Sequence, residues 1–248
     1  MNPVIRAEGT PDSAWRPWLQ AQAFAPQSLA TLMVGATRLV VVAPHPDDEV
    51  LGCGGLLALQ AQDAGAVLLI GVTDGEQSHA AVAGVAPAAL ATQRASERLA
   101  GARCLGLASA SVVRLRLPDA ALAAHAEPLV LRLLPLLRPA DLVVSTWRHD
   151  GHPDHDACGL AAARACARVG CRHVEAPVWL WNWARPGDPR VPWQRLVALP
   201  LNARAQAAKQ QALEAHASQL RARGASLGPV LGVQMRAVAS RATEYFFT

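Results

Sequence analysis

Lysine is almost missing from this chain. Lys209 stands alone against 22 arginines, and the net charge is only +4 over 248 residues. The arginines are scattered rather than gathered on one face, so nucleic acid is not an expected partner. Arginine favours anionic partners, which leaves a phosphate-bearing substrate open. Long apolar runs are also missing. Arg, Asp or Pro interrupts each one before the roughly 20 residues that a membrane-crossing helix needs. The opening MNPVIRAEGTPDSAW has no apolar core segment, so no secretory leader is expected. No cysteine pair forms C-x-x-C, and the set Cys53, Cys104, Cys158, Cys166 and Cys171 is odd in number. Without a leader, this points to reduced thiols in a cytoplasmic protein. Charged residues are sparse at 17%, against 52% hydrophobic. That balance excludes general disorder and suffices for a full core.

No repeat or low-complexity linker divides the sequence. Residues 1–36, punctuated by Pro3, Pro11, Pro17 and Pro26, read as an irregular extension packed on the domain through Trp15 and Trp18. Residues 37–248 read as the domain itself. There, short apolar runs at 38–43, 67–73, 142–146 and 177–181 have the composition of buried strands. Helical patterns at 50–63, 88–104, 120–137 and 155–169 lie between them, and a further one spans 203–221. Residues 233–247 suggest edge strands. Apolar strands alternating with helices specify an α/β fold, a mostly parallel sheet covered on both faces.

Two polar clusters stand out against this pattern. The first strand runs into Pro44-His45-Pro46-Asp47-Asp48-Glu49, and the strand at 142–146 is followed by His149-Asp150-Gly151-His152-Pro153-Asp154-His155. Three adjacent carboxylates repel one another unless something positive sits among them. In an open parallel sheet, ligands bind beyond the carboxyl ends of the strands. If the two strands are neighbours, both clusters face one crevice. His and Asp are good zinc ligands, and a catalytic zinc site needs about three of them. The bland alternative is that Asp47, Asp48 and Asp154 only cap helices. Gly52-Cys53-Gly54-Gly55 invites a nucleotide- or S-adenosylmethionine-binding reading, but Leu57 stands where the third glycine belongs and the loop is full of acids. Those glycines then serve close packing of helix on sheet.

PHPDDEVLGCGG with DGHPDHDACG resembles the PIG-L/LmbE-like family of zinc-dependent N-acetylglucosaminyl deacetylases. TDGE at 73–76, the R-x-x-E of Arg94 and Glu97, LPDA at 117–120 and HASQL at 216–220 extend the resemblance over about residues 37–220. It implies a Rossmann-like LmbE fold in a single domain and removal of an N-acetyl group from an N-acetylglucosamine-containing substrate. That substrate could be a sugar, a nucleotide sugar, a lipid-linked sugar or a glycoconjugate. It implies His45, Asp48 and His155 as metal ligands for Zn²⁺, with Fe²⁺ an alternative for the same donors. Asp47 is implied as general base, His152 as stabiliser of the tetrahedral centre, and Asp154 as the group that orients and tunes His152. Arg94, Asp119 and His216 are implied as substrate-binding residues. Ala120 departs from the family's usual glycine. An amidase for a larger N-acyl group stays open, as does a homo-oligomer. Trp179, Trp181 and Trp183 alternate as strand residues do and read first as packing, with sugar stacking as the alternative.

Overall fold

A computed structural model describes residues 5, 8–108, 111–223 and 227–248; Pro3 lies outside them. The N-terminal segment is more regular than its prolines suggest. It forms α1 (Asp12–Ala21), which tolerates Pro17 inside it, and the single turn α2 (Leu29–Leu32). Packing overrides the local signal here. Trp15 is fully buried, and Trp15 and Leu19 recur at helical spacing in one aromatic cluster with Trp181 and Trp183.

The chain then alternates as β1 (Arg38–Ala43), α3 (Asp48–Gln62), β2 (Ala66–Gly71), α4 (Pro87–Cys104) and β3 (Val112–Arg114). The helix expected at 120–137 is split into a 3-10 turn (Leu122–His125), α5 (Ala126–Leu133) and a second 3-10 turn (Leu134–Leu136). Its start is delayed because the Asp154 carboxylate holds the Ala120 and Leu122 amides at 2.8 and 3.0 Å. Ala120 itself has φ +61°, a conformation that favours the glycine it replaces. Next come β4 (Asp141–Thr146), α6 (Pro153–Val169) and β5 (Arg172–Ala176).

The strand expected at 177–181 is therefore displaced. Pro177 has no N–H for a ladder, and the buried Asp150 carboxylate takes the amides of Val178, Trp179 and Leu180. The chain turns there into α7 (Leu180–Trp183), so the three tryptophans do not alternate along a strand.

After β6 (Leu196–Pro200), α8 (Ala203–Glu214) and α9 (Ala217–Leu220) replace the single helix expected at 203–221. Glu97 causes the break by accepting the Ser218 N–H and hydroxyl at 2.9 and 2.6 Å. Residues 233–247 form α10 (Val233–Ala239) and β7 (Thr243–Phe247), so the first part of that segment is a helix.

The sheet order is β3-β2-β1-β4-β5-β7-β6. The first five strands are parallel, and β7 pairs antiparallel with both β5 and β6, inside the sheet rather than at its edge. Successive side chains of β1 serve opposite faces. Leu39, Val41 and Ala43 pack with α3 and α8, whereas Val40 and Val42 pack with α5 and α6. The order reverses between β1 and β4, which are direct neighbours with Val42 beside Ser145. Among the described residues no helix is long and apolar enough to cross a membrane.

The lone lysine has a structural explanation. Helix α3 is kinked at Cys53 (φ −150°, ψ 25°), which removes the helical bond between the Gly55 N–H and the Leu51 carbonyl. Glu244 of β7 accepts the freed Gly55 and Leu56 amides at 2.7 and 2.8 Å. Lys209 of α8 pairs with Glu244 at 2.7 Å and reaches the Leu51 carbonyl at 3.4 Å. The glycines of the G-C-G-G run leave room for this packing: a Cβ at Gly54 would sit 3.1 Å from the Lys209 side chain, and one at Gly55 2.4 Å from Leu201. Lys209→Met is expected to destabilise the protein by about 3–5 kcal/mol, because it leaves a buried carboxylate without its counter-charge. Adding Glu244→Gln should recover part of that loss in urea unfolding. Equal losses in the single and double variants would show that charge is not the cause.

Candidate active site

The reversal between β1 and β4 opens a crevice beyond their carboxyl ends, and both polar clusters meet there. His45, Asp48 and His155 offer ligand atoms within 4.8 Å of one another. Asp48 Oδ2 is 2.9 Å from His45 Nδ1 and 3.2 Å from His155 Nε2. The other His155 nitrogen, Nδ1, is 2.8 Å from Asp150 Oδ2. An ionised carboxylate only accepts, so Nδ1 carries the proton. That directs the Nε2 lone pair into the site, and this buried nitrogen has no hydrogen-bond partner. A carboxylate behind a ligating imidazole is the usual support of a metal-binding histidine. The donor set suits a divalent cation.

The electrostatics agree. Burial acts to lower His45, but Asp119, Asp154 and Asp48 outweigh it and raise it well above its ordinary value. Burial likewise opposes His155, which Asp48 and Asp150 raise to about 9. Burial would raise Asp48, yet His155 and His45 hold it well below the carboxylate range. The crevice thus has an excess of negative charge that calls for a cation. Protons fill that role on the imidazoles, and metal binding displaces them.

Asp47 sits beside this set at φ +126°, a strained conformation for a residue with a side chain. Neighbouring groups hold it there. Its N–H donates to Glu49 at 3.3 Å, and Glu49 lies 3.5 Å from Arg98. Arg94 donates to the carbonyls of Pro46 and Gly75 at 2.7 and 2.8 Å and stands 3.4 Å from the Asp47 carboxylate. Burial raises Asp47 to about 7, with Arg94 pulling down and Asp48 pushing up.

His152 caps α6. Its Nδ1 accepts the Asp154 N–H at 3.2 Å, so the neutral ring carries its proton on Nε2. Burial, then His155 and His45, lower it to about 3. Asp154 therefore reaches His152 through its main chain. Its carboxylate instead holds the loop at 120–122 and lies 3.3 Å from His45 Nε2. Asp119 also faces His45 Nε2, at 3.2 Å, and is fixed through the Gln77 amide and through Glu76, which accepts the Asp119 N–H.

A cavity of about 190 Å³ opens onto His45, Asp47, Arg94, Asp119, His152 and Trp179. His216 is not in its wall. It is fully buried between Gly101 and Glu49, with Nε2 4.0 Å from Glu49, and cannot touch a ligand in this arrangement. Of the three tryptophans, only Trp179 lines the cavity. Trp181 packs on Trp15, and the Trp183 indole donates to the Asp150 carbonyl at 2.7 Å. The sequence reading assigned no role to Asp150. Its position five residues before His155 was the available signal.

Residues 40–166 match the PIG-L family, described as GlcNAc-PI de-N-acetylase. A sequence comparison with curated proteins gave no match. The structure is similar to the zinc-inhibited form of the teicoplanin deacetylase Orf2, with 20% identity, TM-score 0.65, and coverage of 85% of this chain and 97% of that one. It is similar to a triple mutant of the deacetylase of the teicoplanin biosynthetic pathway, with 26% identity, TM-score 0.58, and coverage of 74% and 83%. It is also similar to the N,N'-diacetylchitobiose deacetylase of Pyrococcus horikoshii, with 22% identity, TM-score 0.55, and coverage of 77% and 73%.

Two predictions follow from the buried groups. Asp150→Asn should weaken Zn²⁺ affinity about 10- to 100-fold in competition with a chelator, because the His155 ring loses its orienting acceptor. Unchanged affinity would remove Asp150 from the site. His216 is lowered by burial, then Arg94 and Arg98, from 6.5 to about 3. Between those values the unfolded chain binds the extra proton, so stability falls as pH drops from about 6.5 toward 3. His216→Gln should lessen the loss in urea midpoint between pH 7 and pH 5, and an identical loss in both proteins would contradict this.

Proposed function

The chain belongs to the PIG-L, GlcNAc-PI de-N-acetylase, family, and from that membership we propose that it is a zinc-dependent hydrolase acting on an N-acetylglucosamine-containing substrate. It removes the N-acetyl group and releases acetate and a free amine. The observation that carries this reading is the buried set His45, Asp48 and His155, with His155 Nε2 turned toward Asp48 from behind the cavity that His45, Asp47 and Asp48 line. A zinc ion held by those three residues would supply a Lewis acid for the carbonyl and acidify a water.

The chain's own residues perform the rest. Asp47 takes a proton from the attacking water at its carboxylate and returns it to the leaving nitrogen. Arg94 is committed to two carbonyls, so it acts first by holding Asp47 and its loop in place. His152 offers its Nε2 proton to the oxygen on which charge develops. The Asp154 N–H fixes that tautomer by donating to Nδ1. Asp119 and Trp179 stand where they can meet the sugar.

Asp47→Ala should retain bound metal and lower acetate release about 10²- to 10⁴-fold. His155→Ala should lose the metal itself. The test is metal content and acetate release on N-acetylglucosamine derivatives, with and without added Zn²⁺. Full activity of Asp47→Ala would show that another group is the base.

A further inference from the structure

A small pocket of about 20 Å³ lies among α3, α8 and β7, with Gly52, Lys209, Arg241, Thr243, Glu244 and Tyr245 in its wall. Leu51 of α3 borders both this pocket and the catalytic cavity. The volume exceeds the ~10–15 Å³ that one water needs, so it admits a single small occupant.

Two buried cations stand in this wall. The Lys209 and Arg241 side chains are 4% and 8% exposed. Lys209 pairs with Glu244, whose carboxylate also accepts the Gly55 and Leu56 amides, so the demands of that acid are met. Arg241 is less well served. Its Nε donates to Asp12 Oδ1 at 2.8 Å, and its Nη2 lies 2.8 Å from the same oxygen. Asp12 is bonded through Oδ2 to Arg16 as well, so two guanidinium groups share one carboxylate. Trp181 covers one face of Arg241, with its ring centre 4.5 Å away. Among the described residues Arg241 Nη1 is buried and has no hydrogen-bond partner. Burial pulls the Arg241 pKa down, and Asp12 offsets that in part. Arg16, Lys209 and Arg241 thus face two carboxylates, Asp12 and Glu244, which leaves an excess of one positive charge. A buried guanidinium edge without an acceptor is costly, and an anion beside it removes that cost.

We propose that this pocket is a halide site, in which one chloride or bromide ion sits between Arg241 and Lys209. The excess charge selects a monovalent anion over water, and the volume excludes phosphate, sulfate and carboxylates. Arg241 Nη1 supplies the idle donor edge. Lys209 has three N–H donors, of which Glu244 takes one at 2.7 Å and the Leu51 carbonyl a second at 3.4 Å, so a third is free for the ion. Thr243 and Tyr245 bring hydroxyls to the same wall. Glu244 does not repel the ion as a bare carboxylate would, because an ammonium and two amides already bind its oxygens. The ion joins α8 to the end of α10 and, through Arg241 and Asp12, to α1. It plays no part in the deacetylation itself.

The test uses the full chain in sodium bromide and, at equal concentration, in sodium gluconate, whose anion is too large for the pocket. Urea unfolding in the two salts is compared for the native protein and for Arg241→Met, which keeps the general effects of each salt. The native protein is expected to gain from bromide, relative to gluconate, a lowering of its unfolding constant about threefold or more beyond that of the variant. That is the mass-action gain once the ion exceeds about twice its dissociation constant. Bromide also scatters anomalously, so crystals of the native protein grown in it should show a peak in contact with Arg241 Nη1 and Lys209 Nζ. That measurement holds even if Arg241→Met fails to fold. No bromide peak in the pocket, or a water in its place, would overturn the halide site. A bromide effect of equal size in the native protein and Arg241→Met would overturn it too, because the ion would then act elsewhere.

Discussion

Asp47, Asp48, Asp150 and Asp154 are all buried around the end of β1 and β4. Carboxylates removed from water must find positive partners or hydrogen-bond donors, or they do not ionise. Each of the four meets that requirement differently. Asp150 collects three main-chain amides and the His155 ring. Asp154 takes two amides of the loop at 120–122. Asp48 has two imidazoles, and Asp47 has Arg94. Much of the local backbone is set by these demands, including the turn into α7 and the late start of α5. The deficit that remains, centred on Asp48, is the part that a cation completes.

The same logic orders the groups behind the site. Glu49 receives the Asp47 amide, Arg98 faces Glu49, and Glu97 captures the start of α9. Arg94 and Glu97 lie one turn apart on α4, so a single helix steadies Asp47 on one side and the C-terminal segment on the other. His216 packs between Gly101 and Glu49 as a buried ring, outside the cavity wall.

Much of the His/Asp cluster was legible because its residues are local in sequence. His45 and Asp48, or His152 and His155, are three positions apart, and strand-loop-helix context places each pair at a strand end. The neighbour relation of β1 and β4 that joins the pairs was only a condition in the sequence. Three of the misread elements share one cause. The strand expected at 177–181, the unbroken helix expected at 203–221 and the irregular N-terminal segment were each decided by a distant partner. Those partners are Asp150, Glu97 and the Trp181 cluster, and none is visible in a local window.

The sequence by itself determined the α/β alternation, the two His/Asp clusters at strand ends and the absence of a membrane-crossing apolar run. Periodicity and motif spacing are properties of contiguous residues, so they survive without coordinates. The tertiary structure alone decided that Asp154 serves His152 through its backbone, that His216 stands behind the site, and that Lys209 compensates a kink in α3. Those outcomes depend on which distant groups compete for the same buried hydrogen bonds, and that competition is settled only when the chain is packed.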